Sequence, residues 1–372
     1  MLALVIAVTC ACSWDYPIWI PRNPAADPLY RFVQGDKAGY IDQLGKVVIP
    51  PTFPAFGNSG SVFMNGLLEI SASSGVYVDA TGQRPFKKEF YRGWDFSEGL
   101  AVVARPGEKL WGYIDATGEF AIPPQFKWSQ QDYVWPFSDG YGKIEVDGKF
   151  GYIGRSGKFV IQPTLLDASN FKEGMARIVA EGSCSYTPDG PCGFANPVNI
   201  GSNIPWLTQC KFTFINKRGK IISDQRFDSA RDFSEGLAAV QIGKVWGFID
   251  KTGKFAIPPR FQEAQSFGSG LARVSIPWKP GYGYIDATGQ LVIPPSIEFN
   301  EDFHDGLAVA GSRDKSYWYI NMQGQRAFTG EFALASPFFK GLAHVMLAGE
   351  GYGPGTFAYI NTSGRILFRY TR

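Results

Sequence analysis

The chain is poor in the residues from which most active sites are built. It has two histidines, His304 and His344, five cysteines and five methionines in 372 residues. It also lacks a charge of one sign: 36 Lys and Arg stand against 34 Asp and Glu, for a net charge of +2. A balanced surface of this kind offers no polyanion footprint and excludes nucleic acid as an expected partner. No Gly-x-Ser-x-Gly elbow, no glycine loop followed by Lys, and no His-Glu-x-x-His occurs. With one His in each of two distant segments and none near the cysteines, neither a His-based catalytic centre nor a zinc site is expected, and the sequence calls for no cofactor. Apolar periodicity of 3.6 over helix-forming lengths is missing too, which excludes a helical domain.

Long hydrophobic runs are confined to the start. Leu2 to Thr9 is apolar and ends at Cys10-Ala11-Cys12, too short to span a bilayer. Residues 1–12 read as a signal-like leader, 13–29 as a Pro-rich linker, and Cys12, preceded by a small residue, as a lipidation candidate. The expectation is an exported protein of the cell envelope or extracellular space.

What the chain has in abundance is glycine (44), proline (25) and aromatics (15%), and they recur in register. An aromatic, then Ile or Val, then Asp or Asn (Gly154 in one copy), then a Gly three residues on, is repeated nine times, from Tyr40-Ile41-Asp42 to Tyr359-Ile360-Asn361. The turn glycines are Gly45, Gly82, Gly118, Gly157, Gly219, Gly253, Gly289, Gly324 and Gly364, spaced by 34 to 40 residues except for one interval of 62. Periods in this range mark arrays whose units bury apolar faces only against their neighbours.

Each unit reads as three short strands. One follows Phe-x-x-Gly-Leu-Ala, clearest at Phe96, Phe233 and Phe303, with related copies from Phe137, Phe171, Phe267 and Phe338. The next carries Trp111-Gly112-Tyr113-Ile114-Asp115 or its variants, and the last Phe120-Ala121-Ile122-Pro123-Pro124. The joining segments Asp79–Gly82, Asp115–Gly118, Asp250–Gly253 and Asp286–Gly289 read as hairpin turns, with Asp bonding backbone two residues on and Gly taking positive φ. One carboxylate per unit excludes a calcium loop or an acid/base pair at these turns. The diprolines at 50–51, 123–124, 258–259 and 294–295 are expected to end the strand.

Phe-Ser-Glu-Gly-Leu-Ala, Trp-Gly-Tyr-Ile-Asp, Thr-Gly and Ile-Pro-Pro, in that order, resemble the bacterial WG repeat, also called the KWG repeat, over about residues 30 to 370. The resemblance implies an all-β repeat in bacterial, often exported, proteins, with no general catalytic residues to carry over. Nine three-stranded antiparallel units, beginning and ending in phase, predict an open twisted β-superhelix over 30–372. A closed toroidal β-propeller is the alternative, should the text before each Phe-x-x-Gly hold a fourth strand.

Function is expected to be non-catalytic binding or scaffolding toward a protein or cell-envelope partner. The alternative is a carbohydrate or wall-polymer binder that uses the tryptophans outside the repeat consensus: Trp94, Trp128, Trp135, Trp206 and Trp278. The one over-long interval comes from an insertion at about 181–209, which holds or borders Cys184, Cys192 and Cys210. Three cysteines permit one disulfide there. The Pro-Asp-Gly turn between Cys184 and Cys192 favours that pair, with Cys184–Cys210 as the other choice.

Overall fold

The computed structural model describes residues 28–371 except 56–62, 64–65, 72–74, 108, 128–132, 183–209, 298, 313–315 and 349–354. The expected leader, the linker up to residue 27, Cys12, Cys184 and Cys192 therefore lie outside the described residues. Among the described residues the regular structure is entirely β, in 30 strands with no helix. Every strand pairing is antiparallel and most sheets run in chain order, with four strands in order in four of them.

The fourth strand is the one hidden before Phe-x-x-Gly. It lies innermost, at Val134–Ser138 in the fourth unit and Glu263–Gly268 in the seventh, and shrinks to two residues at Arg92–Gly93 and Ser229–Ala230. Phe-x-x-Gly is thus itself a hairpin turn. Ser97 pairs with Leu100 across Glu98 and Gly99, both with positive φ (53° and 83°), the combination that a two-residue turn matching strand twist requires.

The glycine of Trp-Gly has a separate cause, found in the outer strand. A Cβ at Gly112 would lie 2.7 Å from the Ile122 carbonyl oxygen and 2.8 Å from the Pro124 nitrogen, and Gly247 meets Ile257 and Pro259 in the same way. The prolines do not end the strand as expected; they sit inside Phe120–Lys127 and Phe255–Phe261. Proline is tolerated because this is an edge strand, and it bulges the ladder between Trp111 and Tyr113. The bulge pushes backbone onto the neighbouring strand, where only glycine leaves room. Where another residue replaces that glycine the bulged strand goes with it. Thr213 and Trp318 stand there in units whose next segment keeps only isolated bridges or a single pairing. Ala358 faces an outer strand without proline, whose register shift falls beyond it, between Tyr359 and Ile360.

The units close into a ring, a β-propeller, which corrects the expected open superhelix. In each unit the aromatic before Ile-Asp packs against the next unit's Phe-x-x-Gly phenylalanine: Tyr40 on Phe63 at 5.2 Å, Tyr113 on Phe137 at 5.0 Å, Tyr284 on Phe303 at 4.8 Å and Tyr319 on Phe338 at 4.9 Å between ring centroids. Tyr359 of the last unit completes the circuit on Tyr30 of the first, at 5.7 Å. The tyrosine hydroxyls follow the same path. Tyr77, Tyr113 and Tyr319 donate to the carbonyls of Trp94, Trp135 and Ser336 in the next unit, and Tyr359 donates to Arg31, 328 residues earlier. Behind each turn glycine lies the preceding unit; Gly157 and Gly324 pack on Ile122 and Ile293, and Gly45 packs on Leu367 of the ninth. An open array would leave the first and last of these contacts empty.

Two outcomes follow for stability. Gly253→Val forces a β-branched residue to φ +82° with its Cβ 2.5 Å from Ser223 Cβ, so a loss of roughly 1–3 kcal/mol is expected from denaturant midpoints. Tyr359→Phe is expected to cost about 1 kcal/mol, as much as Tyr113→Phe; a cost only at Tyr113 would mean the ring does not close through Tyr359.

Candidate functional site

Antiparallel meandering places both signature turns on one rim. The Phe-x-x-Gly and Asp-x-x-Gly turns lie there, strapped from unit to unit. Glu98 accepts the Gly140 N–H, Glu235 that of Gly270, and Asp305 that of Gly341. Within the Asp turns, Asp115 Oδ1 accepts from the Thr117 hydroxyl and N–H, as Asp79, Asp250 and Asp286 do from Thr81, Thr252 and Thr288. The threonine hydroxyls, with the backbone N–H groups, hold these four carboxyls below their ordinary range. Gly82, Gly118, Gly253 and Gly289 all have positive φ. The Oδ1 atoms of these four aspartates are thus engaged in turn geometry.

The opposite rim carries the irregular connections. The strands Met175–Glu181 and Lys211–Asn216 pair with each other, so the insertion between them emerges there. Cys210, at the foot of the second strand, is disulfide-bonded, with its partner outside the described residues. On the same rim Trp278 is fully exposed (100%) and takes φ +69° between Pro277 and Pro280, in a loop where the Lys279 N–H bonds the Ile276 carbonyl at 3.2 Å. Positive φ is uncommon for so bulky a residue and costs about 1–3 kcal/mol.

The other tryptophans divide. Trp94 and Trp135 occupy the same place in adjacent units, two residues before Phe96 and Phe137, at the inner strand. Trp94 is 46% exposed. Trp135 is half-buried, with the Phe150 ring at 5.7 Å and Lys143 Nζ 4.0 Å from its ring centre. Trp128 and Trp206 lie outside the described residues.

Several residues of this inner layer were not singled out by sequence reasoning. Tyr91 (47% exposed) and Tyr133 (48%) sit at the entry to the two inner strands, and the Tyr133 ring lies tilted at 5.8 Å from Trp135. Lys143, Arg177 and Arg231 belong to successive units, and each donates to a carbonyl of the next: Ala168, Ala230 and Ala264. Arg273 reaches Asp302 at 3.1 Å. These cations strap the ring together, and burial lowers Lys143 to about 8. Asp95, Asn170 and Asp232, each directly before a Phe-x-x-Gly phenylalanine, hold an enclosed Oδ1 with no hydrogen-bond partner. The signal available in the sequence was positional: Trp stands two places before that Phe in only two units, where Ser, Arg, Gln or Glu stand elsewhere.

The histidines fall elsewhere. His304 is the first residue of a tight turn, its N–H bonding the Leu307 carbonyl, and is half-buried rather than fully solvated. His344 lies at the ring closure, its Nε2 2.8 Å from the Tyr370 hydroxyl. Among the described residues no three His, Cys, Asp or Glu side chains gather to hold a metal ion.

Asp95 gives a pH dependence. Burial raises its carboxyl to about 7, against the opposing hydrogen bond from the Glu69 backbone, while an unfolded Asp titrates near ~4. The folded protein binds that proton more tightly, so the stability it contributes is complete below about pH 4 and is lost as pH rises toward 7. Asp95→Asn is expected to flatten this part of the stability–pH curve in denaturant titrations, and a slope equal to the parent's would refute the assignment.

The geometry matches known proteins at the level of fold. A solved eukaryotic initiation factor is similar at 11% identity with a TM-score of 0.61, over 93% of this chain and 96% of that one. AztD from Citrobacter koseri is similar at 10% identity and a TM-score of 0.42, over 93% and 94%. BamB from Moraxella catarrhalis is similar at 10% identity and 0.35, over 86% and 93%. No curated protein matches in sequence. The WG-containing repeat profile matches residues 39–59, 111–150, 150–183, 212–246, 246–276 and 282–315, more than half of the chain. By these repeats, and by the glycine and bulged proline strand that define them structurally, the chain belongs to the WG-repeat family.

Proposed function

We propose that this propeller is a non-catalytic binding protein, exported to the cell envelope or beyond, that presents its irregular rim to a protein or envelope component. The observation that carries the reading is Trp278. A wholly exposed indole on a proline-braced tip, held at positive φ, makes no packing contribution to its own fold. Local strain of this kind is retained where function uses it, and Trp is a residue enriched at interface hot spots. The connection carrying the insertion rises from the same rim, as expected for loops free to specialise on a repeat scaffold.

A disulfide at Cys210 supports an oxidising compartment, in keeping with the leader and with Cys12 as a lipid anchor. The turn carboxylates are satisfied internally, which supports the non-catalytic reading. The test is pulldown from envelope extract with the chain from Ser13 onward, followed by affinity measurement on the partner recovered. Trp278→Ala is expected to weaken that binding roughly tenfold or more with an unchanged melting temperature. Undiminished affinity would move the interface off this rim.

A further inference from the structure

The seam between the sixth and seventh units is packed differently from its siblings. At three other seams the residue two places after the turn glycine is a phenylalanine, whose ring meets a phenylalanine of the preceding unit. Phe120 lies on Phe90 at 6.1 Å, Phe159 on Phe126 at 6.5 Å and Phe255 on Phe227 at 6.4 Å between ring centroids, all edge-on. In the seventh unit the same place, two after Gly289, is Leu291. Phe120, Phe159 and Phe255 are half-buried against the cores of their seams. Leu291 is instead 40% exposed and turns over its own sheet, its Cδ1 3.1 Å from where a Cβ on Gly283 would lie. Its would-be partner Phe261 is buried, at 4% exposure.

The space that a ring fills elsewhere is here an open cavity of about 270 Å³, lined by Arg260, Phe261, Ile276, Ile285, Gly289 and Leu291. A cavity of about 150 Å³ walled by such side chains holds one benzene ring, so this one has room for a ring with a short substituent. Its walls are apolar, and the one charge on them is the guanidinium of the exposed Arg260. Arg260 Nη2 donates to the Gly289 carbonyl at 2.5 Å, and its Cζ lies 5.1 Å from the Phe261 ring centre. These two contacts hold the cation at the mouth. A guanidinium carries five N–H donors, so the bond to Gly289 leaves the fork able to take a carboxylate. The occupant must therefore set a ring among Phe261, Ile276 and Ile285 and an anionic group on Arg260. A saccharide would bring hydroxyls against apolar walls, which is costly without partners.

We propose that the cavity between Phe261 and Leu291 binds a small aromatic carboxylate, its ring in the place that Phe120, Phe159 and Phe255 fill at the other seams and its carboxylate on Arg260. This goes beyond the rim reading and uses none of its residues, so the two fail separately. The probes are 3-phenylpropionate and 2-naphthoate, titrated against the full-length chain by calorimetry and ligand-observed NMR, with octanoate and 3-phenylpropanamide for comparison. Saturable binding of at least one aryl carboxylate is expected, tighter than that of octanoate or the amide. Leu291→Phe installs the ring present at the three other seams and is expected to abolish binding with a melting temperature no lower than the parent's. Arg260→Gln is expected to weaken the carboxylate roughly tenfold or more while leaving the amide unchanged. This second variant alters an exposed side chain and decides the matter should Leu291→Phe fold poorly. No saturable binding of either aryl carboxylate, undiminished binding in a well-folded Leu291→Phe or in Arg260→Gln, or octanoate bound as tightly as both would each overturn the proposal.

Discussion

The ring depends on one contact made over and over: the aromatic before Ile-Asp in one unit set edge-on against the Phe-x-x-Gly phenylalanine of the next. Tyr77 and Phe96, Tyr152 and Phe171, Phe248 and Phe267 are all 4.6 to 5.3 Å apart at steep interplanar angles. Edge-to-face rings gain about 0.5–1.5 kcal/mol beyond their buried area, and a unit alone would leave both partners in water. The hydroxyls of Tyr77, Tyr113, Tyr152, Tyr284 and Tyr319 also satisfy a carbonyl of the next unit. Stability is therefore held between units as much as within them, as in repeat proteins generally.

This arrangement separates a rim that must be regular from one that need not be. The tight-turn rim is committed, with positive-φ pairs such as Glu235-Gly236 and carboxylates such as Glu173, which accepts the N–H groups of both Glu235 and Gly236 at 2.7 and 2.8 Å. The opposite rim needs only to reconnect strands. It tolerates a connection as short as Gly243-Lys244 and one as long as that joining Glu181 to Lys211. Differences between units collect there for a geometric reason. A longer loop on the tight-turn rim would remove a donor or acceptor from the neighbouring unit.

Much of the scaffold was legible because its signals are local. The Asp-x-x-Gly turns, the strand text and the family resemblance each need only a few adjacent residues. The prolines show the limit. Read locally, Pro123-Pro124 stops a strand, but at a sheet edge the missing donor faces solvent and the strand continues through a bulge. The need for Gly112 then comes from a backbone across the ladder, ten or more residues away. The inner strands escaped for a related reason, since two residues such as Arg92 and Gly93 carry no periodicity. Trp94, Trp135 and Trp278 stood out as departures from the repeat, whereas Tyr133 and Lys143 came to lie beside Trp135 only once the strands were packed together.

Sequence alone determined much of the unit: its period, its Asp-x-x-Gly turn, its all-β character and its family, because each is written in residues within one hairpin. Only tertiary structure decided that the units form a ring. The same Tyr-on-Phe contact repeats in an open spiral and in a closed propeller, and what distinguishes them is the rotation accumulated from one twisted sheet to the next. That rotation is a sum over all units, and it appears at one place, where Tyr359 meets Tyr30 and Arg31 and Leu367 fills the space behind Gly45.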